Sequence, residues 1–426
     1  MAHAPNRAIA VEPAPVHEPQ PKPSRASLRG LDGFVFFVAD VQTGFGPFIA
    51  VYLTAQAWTQ LDIGVILSVG GLAALAGQIP GGAIIDAARS ERMVAGIAIV
   101  LIGLSALSLA IWPIYPVVLA AAVVHALASC ALGPAMAAIS LGLVGHPGIG
   151  ERLGRNARFA SIGNGMAAGA MGMAGYLLSN RSVFIVTALL VIPALLMLVR
   201  IRGDEIDIAR AHGGVLAAPR TGRRLSDLWH LGAQRPFLVL AAGIALFHLA
   251  NASMLPIMAR IVTTRAGDWA TVLIAACIVV PQIMVALVSP WVGRQAQLIG
   301  RRPLLILALS ALVLRGALFT FVRDPVLLVI IQALDGIAAA GVGVMVPLVV
   351  ADVTRGTGHF NLALGMMGTA IGLGASVSTT VSGYITDHYG SAAAFAGLAF
   401  AAALSLLWMW SMMPETRPRA GIAPEP

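Results

Sequence analysis

The sequence predicts an all-α polytopic membrane protein with twelve transmembrane helices, arranged as two pseudo-symmetric six-helix bundles. The composition is the first reason: of 426 residues, 58% are hydrophobic and only 11% are charged, whereas soluble domains average about 25% charged residues. The second is a series of twelve apolar segments, most of them about the 20 residues that a spanning helix needs. The third is a single long polar stretch, 202–235, which divides the segments into two groups of six.

The chain begins with a region rich in proline and polar residues, 1–29, which is typical of a disordered tail and lacks the apolar core of a signal peptide. The twelve apolar segments follow at 31–55, 63–85, 93–112, 115–144, 159–178, 182–201, 236–262, 270–292, 303–322, 325–351, 362–386 and 392–412. The predicted domains are a cytoplasmic tail (1–29), an N-terminal bundle (30–201), a cytoplasmic linker (202–235), a C-terminal bundle (236–414) and a cytoplasmic tail (415–426).

Basic residues are divided unevenly between the two sides of the predicted membrane. With the N-terminus inside, the tails, the linker and the even-numbered loops carry 22 of the 27 Lys and Arg residues, and the opposite side carries four. Because cytoplasmic loops collect Lys and Arg, both termini are predicted to be cytoplasmic, in a bacterial inner membrane. The remaining residue, Arg315, falls inside segment nine. We expect its guanidinium to reach the outer membrane surface and interpret it as structural.

Several classes of function are disfavoured by the sequence. The basic residues are scattered over short loops and form no patch suited to nucleic acid. Cys130 and Cys277 both fall in apolar segments, so neither a disulfide framework nor a cysteine metal site is predicted. The glycine-rich loop 145–154 lacks the GK[ST] ending of a phosphate-binding loop. We therefore expect no enzymatic activity, no cofactor, no metal and no nucleic-acid partner.

The two groups of six segments repeat one another weakly. Gln42 and Pro47 in segment one correspond to Asn251 and Pro256 in segment seven at the same spacing. Similar correspondences join segments four and ten, five and eleven, and the loops after two and eight. Two parallel six-helix repeats imply a pseudo-twofold axis along the membrane normal, with a site at the midplane between the halves.

The loops after segments two and eight carry two eroded copies of one motif. The first reads Gly82-Ala-Ile-Ile-Asp86-Ala-Ala-Arg89-Ser-Glu-Arg92, and the second reads Gly293-Arg-Gln-Ala-Gln297-Leu-Ile-Gly300-Arg301-Arg302. Both resemble G-x-x-x-D-R-x-G-R-[RK], the commonest signature of the major facilitator superfamily, whose layout of six plus six helices the chain shares over 30–414. The first copy lacks the Arg after Asp86 and the second Gly, and the second copy has Gln297 in place of the acid.

The resemblance is closest in character to the drug/metabolite:proton antiporter-like group, with two departures. His125 lies in the region where its members often carry an Arg, and segment five lacks their Gly-Pro pair. The resemblance implies that Asp86 helps to close the cytoplasmic face, opposite the positive N-terminal end of helix eleven and near Arg89 or Arg92. The predicted gating residues are Gly82, Asp86, Arg89, Arg92, Gly293, Gln297, Gly300, Arg301 and Arg302.

Polar side chains inside the apolar segments mark the predicted central site. Asp40 is the leading candidate, because an ionised carboxylate near the membrane centre costs at least ~2.5–3.5 kcal/mol on insertion scales. The resemblance implies that helices one, four, seven and ten line the cavity. The candidate substrate-binding and proton-coupling residues on these helices are Asp40, Gln42, His125, His248, Asn251, Gln332 and Asp335. The alternative is that single members only form hydrogen bonds between packed helices.

These observations predict a proton-coupled secondary active transporter that moves a small organic solute by alternating access. Few intramembrane charges and many apolar residues favour an amphiphilic or weakly polar substrate and hence an exporter. Two alternatives are a proton symporter that imports a metabolite, and a transporter-like sensor or assembly partner without flux. The expected partners are a small-molecule substrate, protons and the lipid bilayer, and the protein is expected to be monomeric.

Overall fold

The computed structural model describes residues 23–43, 47–214, 232–266 and 269–418, and this part of the chain contains helices but no β-strand. The N-terminal half consists of α1 (Arg25–Thr43), α2 (Pro47–Ala55), α3 (Gln60–Ala87), α4 (Glu91–Ile111), α5 (Tyr115–Leu177) and α6 (Asn180–Val199). A 3₁₀ turn (Gly203–Glu205) and α7 (Ile208–Ala211) lead out of it. The C-terminal half consists of α8 (Arg235–Asn251), α9 (Met254–Arg265), α10 (Ala270–Ile299), α11 (Arg301–Phe321), α12 (Pro325–Ile331), α13 (Ala333–Val353) and α14 (Phe360–Met412).

Two of these helices each contain two of the predicted spans. α5 has 63 residues and α14 has 53, and a straight helix of that length would reach about three times across a bilayer core. Each bends at a glycine with positive φ, Gly145 at 65° and Gly390 at 83°, a conformation that other residues rarely adopt. The chain folds back on itself at Gly145. A hydrogen bond across the bend shows this: Asn156 Nδ2 donates to Ser140 Oγ, sixteen residues earlier, at 2.7 Å. The predicted all-α fold of twelve spans is confirmed.

Two predicted spans each contain a short turn. Segment seven consists of α8 and α9, and segment ten consists of α12 and α13. Both turns fall beside polar residues of the predicted site, since α8 ends at Asn251 and Gln332 separates α12 from α13. The backbone of Gln332 keeps helical angles and its N–H still donates to Leu328 O, so that segment ten continues across the turn.

Each half buries its own hydrophobic core. One cluster joins α1 to α6 and includes Phe34, Tyr52 and Phe184, all at most 1% exposed. The other cluster is built mainly from α8 to α14, around residues such as Phe319 and Phe395. Because most apolar contacts lie within a half, the two halves can move against each other while each core stays packed.

The halves make their tightest contacts at one face of the molecule. We call it the termini face, because the described chain begins there at Pro23 and ends there at Pro418. A Cβ atom on Gly82 would overlap the Asn361 carbonyl, and one on Gly150 would lie 2.8 Å from the Gly293 carbonyl oxygen. Toward the opposite face, a Cβ on Gly169 of α5 would meet nothing within 4 Å. The described structure is therefore closed at the termini face.

The first helix begins earlier than the sequence predicts. α1 starts at Arg25, inside the predicted N-terminal tail of 1–29. Glu205, from the predicted linker, holds this helix start: its Oε2 accepts hydrogen bonds from Ser24 N at 2.9 Å and Ser24 Oγ at 3.0 Å. Burial raises the pKa of the Glu205 carboxyl, but hydrogen bonds from Ser24 and Ser27 and the charge of Arg202 outweigh it, so that the pKa lies below its ordinary value.

The described part of the linker, 202–214, also touches both halves. Asp207 N donates to Gly142 O of α5 at 3.2 Å, and Gly213 O accepts from Gly356 N, which precedes α14. Residues 202–214 thus cover the closed termini face instead of only connecting the halves. The hydropathy of the sequence predicts that this stretch is polar. It could not show that backbone groups of the stretch form hydrogen bonds with α5 and with the loop before α14.

Candidate functional site

A fully buried arginine organises the polar residues of the C-terminal half. Arg315 of α11 is 1% exposed, and its Nη1 lies 2.7 Å from Asp335 Oδ1. Its Nε donates to Gln332 Oε1 at 2.8 Å, and its Nη1 also donates to Asn251 Oδ1. Gln332 in turn donates from Nε2 to the Cys277 carbonyl at 3.3 Å. Four side chains from α8, α11 and the α12–α13 junction therefore form one network.

This arrangement corrects the interpretation of Arg315 as a residue that reaches the membrane surface. A guanidinium that is 1% exposed and bound by three polar side chains lies inside the bundle. Losing one partner of such a buried ion pair costs about 3–5 kcal/mol, because the other charge is left without compensation. The sequence did contain a signal, since Arg315 is the one Lys or Arg residue far from the ends of an apolar segment, but its partners lie 17 to 64 positions away.

The exposure of Asp335 differs from that of its partner. Its side chain is 21% exposed, whereas Arg315 is enclosed. Asp335 is therefore the more accessible member of the pair. If Asp335 takes up a proton, Arg315 keeps only neutral oxygen acceptors, and its positive charge is no longer neutralised.

Asp40 lies in the other half, in α1, and has a different environment. It is 4% exposed, and its Oδ1 has no hydrogen-bond partner among the described residues. No cation of the described chain lies within 4 Å of it. An ionised carboxylate in this position is costly, whereas a protonated one is much less so. The structure therefore does not join Asp40 to the Arg315 network, although the sequence placed Asp40 and Asp335 in one site.

The remaining predicted site residues are half-buried in the membrane-spanning helices. Gln42 is half-buried in α1, two positions after Asp40, and His125 is half-buried in α5. His248 is half-buried one turn before Asn251 on α8 and packs edge-on against Phe247, with ring centroids 5.1 Å apart. In the part of the chain that the structure describes, no group of three His, Cys, Asp or Glu residues could hold a metal ion.

Asp86 joins the two halves at the termini face. Its carboxylate is 6% exposed and accepts hydrogen bonds from Leu362 N at 2.8 Å, Asn361 N at 3.2 Å and Asn361 Nδ2 at 2.8 Å. These donors stand in the first turn of α14, where the helix dipole favours a negative charge. Asn361 Nδ2 also donates to Ala211 O of the linker at 3.1 Å. Asp86 thus lies beside the helix end that the family resemblance implied.

The prediction about the neighbours of Asp86 is only partly correct, because the helix end lies beside it but the two arginines do not pair with it. Neither Arg89 nor Arg92 forms an ion pair with it in the described chain. Arg89 is exposed, and Arg92 points toward the end of α6, with Nη2 3.5 Å from Val199 O. These two arginines are therefore not part of the contact between the halves.

The residues of the second motif copy make a different set of contacts. Arg301 is 1% exposed and pairs with Asp352, Nε to Oδ2 at 2.8 Å, while its Nη1 lies 3.3 Å from Gln297 Oε1. The backbone N–H groups of Arg301 and Arg302 donate to the Glu415 carboxylate, which caps α11 next to Gly300. All these bonds lie within the C-terminal half. Gly293 and Gln297 also face the other half, since a Cβ on Gly150 would lie 2.8 Å from Gly293 O and 3.2 Å from Gln297 Nε2.

Asp86→Asn should shift the protein away from the closed state of the termini face. The variant exchanges charge-assisted hydrogen bonds, worth roughly 1.5–3 kcal/mol, for weaker neutral ones, and a loss of about 1.4 kcal/mol changes the population tenfold. The measurement is the alkylation rate of a cysteine introduced at Met366, half-buried near the start of α14. Asp204→Asn, which removes an exposed carboxylate at the same face, should leave that rate unchanged. Equal rates in Asp86→Asn and the parent would rule out the closing role.

Comparison with known proteins gives consistent results over nearly the whole chain. A model of the Major Facilitator Superfamily matches residues 33–284 and 240–426. Two curated Mycobacterium tuberculosis proteins, both described as uncharacterized MFS-type transporters, are 37% identical over 390 residues, which is 91% of this chain and 93% of theirs.

Solved structures share the fold at low identity. FucP, an MFS transporter solved in the outward conformation, is 15% identical with a TM-score of 0.73, over 91% of this chain and 98% of that one. A variant of FucP, described as the E. coli fucose:proton symporter, gives 0.72 at 14% identity, over 90% and 98%. The human organic anion transporter MFSD10 gives 0.66 at 14% identity, over 91% and 100%.

Proposed function

The chain belongs to the major facilitator superfamily, and from this premise we propose that it is a proton-coupled transporter that exports a small organic solute across a bacterial inner membrane. The coarser statement, a membrane-embedded secondary transporter that works by alternating access, follows from family and fold. Proton coupling, direction and substrate are the proposal. We also propose that the termini face is cytoplasmic, because it carries most of the Lys and Arg residues.

The observation that supports proton coupling best is Asp40, a carboxylate that is 4% exposed with one oxygen unpaired among the described residues. Such a group is stable when it carries a proton or when a polar or cationic part of a substrate neutralises it. Proton and substrate then exclude each other at Asp40. Mutual exclusion at one site is the physical basis of antiport, in which inward proton movement drives outward substrate movement.

A second candidate function, proton symport, is favoured by the Arg315–Asp335 pair. A proton on Asp335 would remove the charge that neutralises Arg315, so that the guanidinium could bind a substrate with an anionic or strongly accepting group. At this site the proton would promote substrate binding instead of opposing it. FucP, which shares the fold, is described as a proton symporter, and MFSD10 as an organic anion transporter.

The two functions predict opposite effects of pH on binding. We would screen small organic cations, anions and neutral solutes for thermal stabilisation of the purified protein, and measure the Kd of each ligand found at several pH values. Antiport at Asp40 predicts that the Kd rises as pH falls, because protons compete. Symport at Asp335 predicts that the Kd rises as pH rises, because the proton that promotes substrate binding is lost from Asp335.

Flux in proteoliposomes then completes the test. An imposed proton gradient should drive a ligand from the screen against its own concentration gradient, and dissipating the proton gradient should abolish its accumulation. A ligand that binds without pH dependence, together with flux that ignores the proton gradient, would contradict proton coupling. A ligand that binds without any flux would instead favour a sensor or assembly partner.

A further inference from the structure

A polar cavity lies at the termini face between the two halves, away from Asp40 and the Arg315 network. Its volume is about 200 Å³, and it opens between α5 of the N-terminal half and α10 of the C-terminal half. We call it the arginine cavity. It is lined by Glu151, Arg155, Arg158, Phe159, Pro290 and Arg294.

The charges of this cavity are not balanced by the protein. Three guanidinium groups face one carboxylate, and in the described part of the chain neither Arg158 nor Arg294 has an acidic partner within 4 Å. Arg155 does bind Asp32, at 2.6 Å, but Asp32 is shared with the buried Arg152. One carboxylate therefore serves two arginines, and the cavity keeps a net positive charge.

Closing the termini face brings these like charges together. Arg155 and Arg158 belong to α5, whereas Arg294 belongs to α10, one residue after Gly293, which packs directly against Gly150. Arg158 Nε also donates to Ala286 O of α10 at 3.0 Å, so that the cavity spans the contact between the halves. Repulsion between these like charges makes closure less favourable, and an anion bound between them would relieve it. The cavity would be taken apart when the halves separate at this face.

We propose that the arginine cavity binds the phosphate of an anionic lipid headgroup and that this lipid stabilises the state closed at the termini face. Planar guanidinium groups bind phosphate oxygens in pairs. The cavity lies at the ends of two membrane-spanning helices, where lipid headgroups are found, and Phe159 and Pro290 provide apolar walls beside the charges. Free phosphate has the same chemistry but lacks the acyl chains that hold a lipid beside these helices. The proposal needs alternating access, but not the coupling ion or the substrate.

The test compares three additions to the purified full-length protein in detergent: dioleoylphosphatidylglycerol, dioleoylphosphatidylcholine and inorganic phosphate. We expect phosphatidylglycerol to raise the Tm by about 2 °C or more, an effect that salt should weaken, and the other two to leave it unchanged. Phosphate alone acting as strongly as phosphatidylglycerol would overturn the assignment to a lipid. Equal effects of the two lipids would overturn the site altogether.

Variants of Arg294 distinguish lipid binding in the arginine cavity from a general effect of positive surface charge on the Tm. Arg294→Gln should reduce the phosphatidylglycerol-dependent shift at least by half, while Arg200→Gln, which removes an exposed arginine at the end of α6 outside the cavity, should keep it. Arg294→Glu supplies the missing negative charge within the protein. It should give a higher Tm than Arg294→Gln in phosphatidylcholine and abolish the response to phosphatidylglycerol. A full response in Arg294→Glu would contradict the proposal.

Discussion

Asp40→Asn should bind and exchange substrate but fail to concentrate it against a proton gradient. Asparagine imitates the protonated carboxyl group permanently and has nearly the same size, so that the packing around this buried position of α1 is kept. Alternating access coupled to protons needs a group whose charge changes the relative stability of the two states. Without that group, the two states interconvert with substrate alone, and the proton gradient no longer acts on their equilibrium.

The experiment uses a ligand from the binding screen in proteoliposomes, with exchange measured without a pH gradient and accumulation measured with one. We expect exchange within a few-fold of the parent and no accumulation above background. Asp387→Asn, which removes a carboxylate that is 70% exposed, is the matched control and should accumulate substrate normally. If Asp40→Asn concentrates substrate like the parent, Asp40 is not the coupling site and Asp335 becomes the leading candidate.

Removing one member of the Arg315–Asp335 pair should be far more harmful than removing both. Arg315→Met leaves Asp335 without a counter-ion, and Asp335→Asn leaves a guanidinium that is 1% exposed with amide oxygens alone. Breaking a buried pair in this way costs about 3–5 kcal/mol, whereas replacing both charges is often close to neutral. The double variant Arg315→Met with Asp335→Asn should therefore recover at least half of the stability lost in either single variant.

Thermal unfolding of the four proteins gives the coupling energy of the pair by a double-mutant cycle. The exposed pair Arg260–Asp387, with 3.6 Å between Nη1 and Oδ1 and both side chains at least 66% exposed, offers a matched cycle that should yield below about 1 kcal/mol. Additive losses at Arg315 and Asp335 would show that the pair is not energetically coupled. Symport at this site further predicts that the double variant, although stable, binds substrate more weakly than the parent at every pH, because the guanidinium that would bind the substrate is gone.

The amino-acid sequence alone was enough for the architecture. Spanning helices must satisfy their backbone within one continuous apolar segment, so that each span is visible as a local run of residues. The sequence also identified Asp40 and Asp335 as candidate site residues, because an ionised carboxylate inside an apolar segment is costly and therefore rare. The position of Asp86 in the first motif copy also identified the helix end that it faces, although Arg89 and Arg92 proved to be elsewhere.

The partners of these residues were decided only by the tertiary structure. Arg315 meets Asn251, Gln332 and Asp335 because α11 is rotated toward the α8 end and the α12–α13 junction, and helix rotation is not encoded in the hydrophobicity of any one segment. The arginine cavity arises in the same way, from the approach of α5 and α10. Ion pairs and like-charge contacts depend on distances of a few ångströms between segments remote in sequence. The chain itself therefore specifies which groups are buried, and the packing of the helices decides which of those groups neutralise one another.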